Sequence, residues 1–185
     1  SQHTSLGVGG SADLVRLPDV QRLPEVAEYL RRRGVRWRVL GGGTNLLVVD
    51  EGLDDVVLQL VREADGLKFE GQRVEVSAAA SLGTVVMECA KRNLGGMEGL
   101  IGVPGTVGGA LRMNAGAYGT EIGDLVRAVT VYRGAAQRQE ALSTGSLRFA
   151  YRRSGFAPDD VLLSAWLELP KRPYTEIVER IKECN

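Results

Sequence analysis

The chain has 185 residues, and 44% of them are hydrophobic, which is enough for the core of one domain or of two small ones. Lys and Arg number 23, and Asp and Glu also number 23, so the formal net charge is +0 and argues against a protein that works mainly by coating nucleic acid or an anionic membrane. No apolar run approaches the roughly 20 residues that span a bilayer, so we expect no membrane insertion.

The first third of the chain has the pattern of a small α/β unit. Apolar residues recur at helical spacing over Arg22–Arg33, and Gly34 follows as the expected end of that helix. A short apolar strand is predicted at Trp37–Leu40, and continuous apolar runs predict buried strands at Asn45–Val49 and Val56–Leu60. This alternation of helix and strand is typical of α/β architecture.

The pattern changes near residues 62–66, where we place a soft boundary between subdomains of residues 1–64 and 65–185. Beyond it, alternating residues predict strands and helical spacing predicts two helices. The strands are expected at 67–69, 73–77, 125–133, 138–142 and 161–169, the last with Val161, Leu163, Ala165, Leu167 and Leu169 on one face. The helices are expected after Ser81, with Gly95-Gly96 as the stop, and after Pro173, with Tyr174, Ile177, Val178 and Ile181 as the stripe.

Glycine numbers 24, about twice its average share of roughly 7%, and two segments concentrate it. Leu40–Leu46 reads Leu-Gly-Gly-Gly-Thr-Asn-Leu after a predicted strand, and Gly102–Ala110 reads Gly-Val-Pro-Gly-Thr-Val-Gly-Gly-Ala. Glycine lets main-chain N–H groups face outward, and consecutive outward N–H groups form an anion site. Spacing alone predicts either phosphate binding or glycine-rich packing turns.

Two shorter segments carry side chains suited to contact a substrate. Asn114 and Tyr118 are the polar residues of Met-Asn-Ala-Gly-Ala-Tyr-Gly, where the neighbours are small. Tyr151–Ser154 reads Tyr-Arg-Arg-Ser and places a phenol beside two guanidinium groups, which bind carboxylates in bidentate fashion. A solvated loop is the alternative for this last segment.

The remaining reactive side chains give weak signals. His3 has no partner nearby in sequence and is expected at the surface, and no His, Cys, Asp and Glu cluster has metal-ligand spacing. Cys89 and Cys184 belong to predicted helices rather than to a nucleophile site. Two cysteines are too few for a disulfide scaffold, so a reducing, cytoplasmic location is expected.

Taken in order, these segments resemble the UDP-N-acetylenolpyruvoylglucosamine reductase family. The resemblance begins at Thr4–Gly10, continues through Leu40–Val48, is densest over Gly102–Gly119 and closes with Tyr151–Ser154, so it spans nearly the whole chain. It implies an α+β fold, the two-subdomain FAD-binding fold of the vanillyl-alcohol-oxidase type, in which a small α/β subdomain precedes one with an antiparallel sheet. FAD would lie between the subdomains, with its diphosphate against the two glycine segments.

The resemblance also implies roles for individual residues. The expected cofactor contacts are Gly41, Gly42, Gly43, Thr44, Asn45, Leu46, Val103, Pro104, Gly105, Gly108, Gly109, Ala110 and Gly116. NADPH would reduce FAD, and a UDP-sugar, UDP-N-acetylglucosamine enolpyruvate, would then be reduced. Arg152 matches the arginine that stabilises negative charge near the substrate carboxylate, while Tyr118 and Tyr151 match positions near the substrate.

The family continues into a C-terminal substrate domain that supplies a serine proton donor and a glutamate. We expect that domain to be absent from these 185 residues, which should then bind FAD and turn over poorly. The sequence leaves three other functions open. They are a flavin subunit of another oxidoreductase of this fold, a non-catalytic nucleotide-binding module, and a structural domain with glycine-rich turns.

Overall fold

The computed structural model describes residues 2–61 and 67–184, which form two packed parts. The predicted boundary at residues 62–66 lies outside the described residues, so the division at residue 64 stays a prediction. Among the described residues, no helix is long and apolar enough to cross a membrane.

The first part is a three-stranded parallel sheet with one helix. Its elements are β1 (Ala12–Leu17), α1 (Leu23–Arg32), β2 (Trp37–Leu40) and β3 (Leu53–Leu60). The strand order is β1-β3-β2, so the last strand lies in the centre. Leu58 of β3 is fully buried against the inner face of α1, and the expected α/β unit is therefore confirmed.

Two details of this part differ from the sequence prediction. Residues 45–49 form no strand, because their apolar side chains are largely exposed, with Leu47 at 76%. Their main chain instead contacts the N-terminal segment, where the Gly10 N–H donates to the Val49 carbonyl at 2.9 Å. Strand β1 was not predicted, because its sequence, Ala-Asp-Leu-Val-Arg-Leu, has neither a continuous apolar run nor a regular alternation of apolar and polar residues.

The second part contains seven strands and four helices in the described residues. The strands are β4 (Leu67–Glu70), β5 (Arg73–Ser77), β6 (Gly116–Ala117), β7 (Thr120–Glu121), β8 (Val126–Arg133), β9 (Arg138–Ser143) and β10 (Asp160–Glu168). The helices are α2 (Leu82–Ala90), α3 (Val107–Arg112), α4 (Ile122–Leu125) and α5 (Tyr174–Glu183). Five of the strands form an antiparallel sheet in the order β4-β5-β10-β8-β9, while β6 and β7 form a separate hairpin. The predicted antiparallel subdomain is confirmed.

The helices follow most of the predicted stripes. The inward residues of α2 are all buried, but the helix ends at Ala90 rather than at Gly95-Gly96. The reversal falls at Asn93, whose φ of 58° is left-handed. In α5, Ile177 and Ile181 are buried, whereas Tyr174 is exposed and lies outside the stripe.

Strand β10 does not keep its five predicted residues on one face. Its pairing with β8 shifts register between Leu162 and Ser164, and such a bulge turns the strand over. Leu167 therefore packs into the core of the second part, while Val161 and Leu163 pack with α1 and join the two parts. The bulge thus lets one strand serve two cores.

Burial of Cys89 in α2 predicts a pH effect on stability. Desolvation raises the pKa of this thiol to about 12, and the thiolate is the reactive form. Because the unfolded thiol ionises first, the stabilising contribution is complete below about pH 9 and is lost as the pH rises towards 12. Urea unfolding of wild type and Cys89→Ala between pH 8 and 11 should show the steeper loss in wild type. Parallel curves would contradict the prediction.

Candidate functional site

The two glycine segments meet at the edge of the parallel sheet. The first leaves the carboxyl end of β2, and the second runs into α3. The Thr44 hydroxyl donates to the Pro104 carbonyl at 3.3 Å, which joins the loops directly. A Cβ on Gly41 would lie 2.8 Å from Thr106 Oγ1, so the loops can approach this closely only because glycine has no side chain.

The N-terminal segment, residues 3–11, packs against the first glycine loop. The Ser5 N–H donates to the Gly43 carbonyl at 3.0 Å. Gly43 has a left-handed φ of 65°, and a Cβ there would collide with the His3 carbonyl. Two contacts between main chains therefore fix the shape of this loop, and they explain why the Thr4–Gly10 motif accompanies it in sequence.

The first glycine loop offers main-chain donors. Within residues 2–61 and 67–184, no hydrogen bond is donated by the N–H groups of Gly41, Gly42, Gly43, Thr44, Asn45 or Leu46. Unpaired N–H groups in a glycine-rich turn form a concave site for an anion. The loop is therefore suited to bind a phosphate without any lysine.

A cleft of about 1340 Å³ runs from these loops between the two parts. Gly41 and Leu46 line it on one side, and Gly108 and Gly109 of α3 line its floor. Residues 158–160, just before and at the start of β10, line its far side. This volume can hold a dinucleotide.

The two glycines of α3 have different surroundings. A Cβ on Gly108 would lie 3.0 Å from Ala78 Cβ, so this glycine is required for packing of the helix on the end of β5. A Cβ on Gly109 would have only Thr106 Oγ1 within 4 Å, at 3.6 Å. Gly109 therefore borders the cleft, and its missing side chain leaves room for a ligand.

Arg112 fixes the far side of the cleft. Its guanidinium donates to the carbonyl of Ala157 at 2.7 Å and also to the carbonyl of Asp160, and it lies 5.7 Å from the Phe156 ring. Burial lowers the pKa of Arg112, but the group remains charged because arginine starts so high. The side chain thus ties α3 to the segment before β10.

Loss of the Arg112 clamp is expected to destabilise the fold. Arg112→Met removes both of these hydrogen bonds, although the Ala157 carbonyl still accepts from the Asp160 N–H, and should lower the free energy of unfolding by about 1–3 kcal/mol. Arg112→Lys keeps the charge but cannot donate to both carbonyls in one plane, so it should recover less than half. Urea unfolding of the three proteins measures this, and full recovery by lysine would show that charge alone matters.

The predicted site residues fall into three groups. Gly41, Leu46, Gly108 and Gly109 line the cleft, and Gly42, Gly43, Thr44, Asn45, Pro104 and Gly105 lie in the two loops beside it. Val103 and Ala110 pack on the core, and Gly116 lies in β6, where its missing Cβ makes room for Glu121. Tyr118, Tyr151 and Arg152 are exposed and are not among the described residues that line the cleft. Their individual roles stay predictions.

Two parts of the cleft had no clear signal in the sequence. Residues 158–160, Pro-Asp-Asp, resemble an ordinary surface turn, although Asp160 is buried and bonded to Arg133 Nη1 at 2.7 Å. Arg112 follows the second glycine segment by two residues, and its sequence surroundings do not indicate its contacts. Its partners lie 45 and 48 residues away along the chain, a distance that no local pattern indicates.

Sequence comparison identifies the class of protein that this fold and cleft define. The FAD binding domain family matches residues 12–139, so the chain belongs to that family. The predicted FAD-binding fold and its cofactor, FAD, are confirmed. The amides of the first glycine loop that have no partner among the described residues, and the open space at Gly109, leave room and donors for such a cofactor.

The most informative relatives are reductases of one kind. The chain is 34% identical over 187 residues to the UDP-N-acetylenolpyruvoylglucosamine reductase of Bacillus licheniformis, covering 99% of this chain and 61% of that protein. The crystal structure of the Thermus caldophilus reductase superposes with a TM-score of 0.83 at 34% identity, covering 99% of this chain and 65% of that one. The chain thus spans about three fifths of the length of these relatives.

A more distant structure shares the fold alone. BBE-like #28 from Arabidopsis thaliana superposes with a TM-score of 0.63 at 16% identity, covering 93% of this chain and 37% of that one. The two-part architecture therefore extends to proteins with little sequence in common with this chain.

Proposed function

We propose that the chain forms the FAD-binding part of an NADPH-dependent reductase that acts in the cytoplasm. The reaction is reduction of UDP-N-acetylglucosamine enolpyruvate to UDP-N-acetylmuramate in peptidoglycan precursor synthesis. The observation that carries the proposal is the contact between the two glycine loops at one cleft, in a chain similar along 99% of its length to reductases of this name.

The residues of the chain bind and orient the cofactor. When bound, FAD would supply the chemistry of hydride transfer between NADPH and the enolpyruvyl group. The amides of the first glycine loop would hold the diphosphate, Gly109 would leave space for the cofactor, and Arg112 keeps the far side of the cleft in place.

The exposed segments would serve the substrate. Arg152 provides a permanent cation for the substrate carboxylate, where negative charge grows during the reaction. Tyr118 and Tyr151 each lie at the tip of a tight turn and are exposed, so their rings are available to a UDP-sugar. A fixed cation stabilises the charge that develops in the transition state more than that of the substrate.

Visible absorption of the purified chain tests this function. Loading with FAD should give a flavin spectrum that bleaches with NADPH and shifts when UDP-N-acetylglucosamine enolpyruvate is added. A chain that takes up no FAD would favour a non-catalytic nucleotide-binding module. A flavin spectrum that is insensitive to the UDP-sugar would favour another oxidoreductase of the same fold.

A further inference from the structure

Asn114 is a buried polar residue at the end of α3. Only 1% of its surface is exposed, and its φ of 43° is left-handed. The Asn114 N–H donates to the Leu111 carbonyl and the Ala115 N–H donates to the Ala110 carbonyl, which is a Schellman motif. Glycine is the usual residue at this position, so the presence of asparagine indicates a use for its side chain.

The side-chain amide of Asn114 contacts three other segments. Its Nδ2 donates to Glu121 Oε2 at 2.7 Å and to the Ala150 carbonyl at 3.1 Å, and its Oδ1 accepts from the Gly123 N–H at 3.0 Å. A Cβ on Gly123 would lie 2.7 Å from Asn114 Oδ1, so that glycine is required for the contact. Both donor hydrogens and the acceptor oxygen are therefore used.

Two of these partners lie at the bases of the two turns that carry tyrosine. Glu121 pairs with Gly116 at the base of the β6–β7 hairpin, whose tip is Tyr118. Ala150 pairs with Arg153 through two hydrogen bonds, of 3.0 and 2.9 Å, and encloses Tyr151 and Arg152. One buried amide thus joins the bases of both turns to the end of the helix that lines the cleft.

We propose that Asn114 is a positioning residue that holds the Tyr151–Arg152 turn at a fixed place relative to the Tyr118 hairpin and to α3. The hydrogen bond from the Asn114 side-chain amide to the Ala150 carbonyl holds the base of the turn in place. The left-handed backbone of Arg152, with a φ of 55°, then sets the direction in which the Arg152 side chain leaves the turn. The assignment of Arg152 to a substrate carboxylate rests on the proposed function, whereas the positioning itself does not.

Hydrogen exchange at the Ala150 and Arg153 amides tests the positioning. Asn114→Gly keeps the left-handed backbone and removes only the side chain, so exchange at both amides should rise about tenfold or more. Asn93→Gly is the matched control, because Asn93 is also left-handed and its Oδ1 caps α5 by accepting from the Tyr174 N–H. The control should leave both amides unchanged.

A double variant that swaps the amide of Asn114 and the carboxylate of Glu121 separates an effect on the turn from an effect on overall stability. In Asn114→Asp with Glu121→Gln, the new amide at 121 donates to the new carboxylate and the Gly123 N–H keeps its acceptor, but the Ala150 carbonyl loses the donor at position 114 and keeps only the Arg153 N–H. We expect this pair to regain most of the melting temperature lost in Asn114→Asp alone, while Ala150 and Arg153 still exchange fast. The proposal would be overturned if the Ala150 and Arg153 amides exchanged slowly in Asn114→Gly, or if the double variant restored their slow hydrogen exchange.

The flavin spectrum keeps this inference separate from the proposed function. In the FAD-loaded chain, Asn114→Gly should weaken the affinity for UDP-N-acetylglucosamine enolpyruvate, measured from the shift of the flavin spectrum, about tenfold without changing the affinity for FAD. If wild type shows no response to that substrate, the proposed function fails. The exchange rates still decide whether Asn114 holds the turn.

Discussion

Replacing Gly109 with valine is expected to lower the affinity of the chain for FAD at least about 100-fold, equivalent to about 2.7 kcal/mol. Gly109 lines the cleft, and its position meets only Thr106 Oγ1 within 4 Å. The Cβ of a valine here therefore meets protein atoms only at ordinary van der Waals distance, and its methyl groups add bulk at the border of the cleft. Titration of apo protein with FAD, followed by quenching of flavin fluorescence, measures the change.

Gly108→Val is the matched control one residue earlier in α3. Its new side chain would press on Ala78, which lies 3.0 Å from the Cβ position, so we expect overpacking that costs about 1–3 kcal/mol of folding free energy. Gly109→Val should keep or slightly raise the melting temperature, since valine favours a helix more than glycine does. Equal FAD affinity in Gly109→Val and wild type would show that the dinucleotide does not pass over α3.

The periodic parts of the fold could be predicted from the sequence. Helix α1 lies where its spacing indicates, because Leu23 and Ala27 on its inner face are buried, and strand β2 has the predicted bounds although half of its residues are exposed. Apolar content failed as a guide at residues 45–49, where contacts between main chains replace side-chain burial. The alternation of residues also failed as a guide in β10. A bulge between Leu162 and Ser164 moves the later side chains to the other face of the sheet, and the residue types do not indicate it.

The candidate site likewise combines features that the sequence predicts with features that depend on contacts between distant residues. The family resemblance implied that the two glycine loops face one cofactor, and they do meet at one cleft, but several of their glycines also serve contacts within the protein. Gly43 avoids the His3 carbonyl, Gly42 faces Gly105 and Gly108 faces Ala78, so each serves an approach between parts of the protein. These partners are distant in sequence. Among the described glycines that line the cleft, only Gly109 has no atom closer than 3.6 Å to its Cβ position, and no local pattern distinguishes it from the others.

The position of Arg152 outside the cleft separates its expected role from cofactor binding. Arg152→Met should lower the kcat of NADPH oxidation that depends on the enolpyruvyl substrate about 100- to 1,000-fold in an enzyme preparation containing this chain. The substitution keeps a long side chain at the same left-handed position but removes the positive charge that we propose stabilises the substrate carboxylate. Steady-state kinetics with NADPH absorbance as the readout measures the loss, and FAD content should not change.

Three comparisons make the Arg152 test specific. Arg153→Met, at the adjacent exposed arginine, should leave kcat within about twofold, because only Arg152 matches the position of the expected cation. Arg152→Lys should recover part of the rate, since a point charge lacks the planar fork that binds a carboxylate. Binding of UDP-N-acetylglucosamine, which has no enolpyruvyl carboxylate, should be equal in all variants. If Arg152→Met turned over as fast as wild type, charge stabilisation would have to come from another residue, and the exposed turn would have no part in the chemistry.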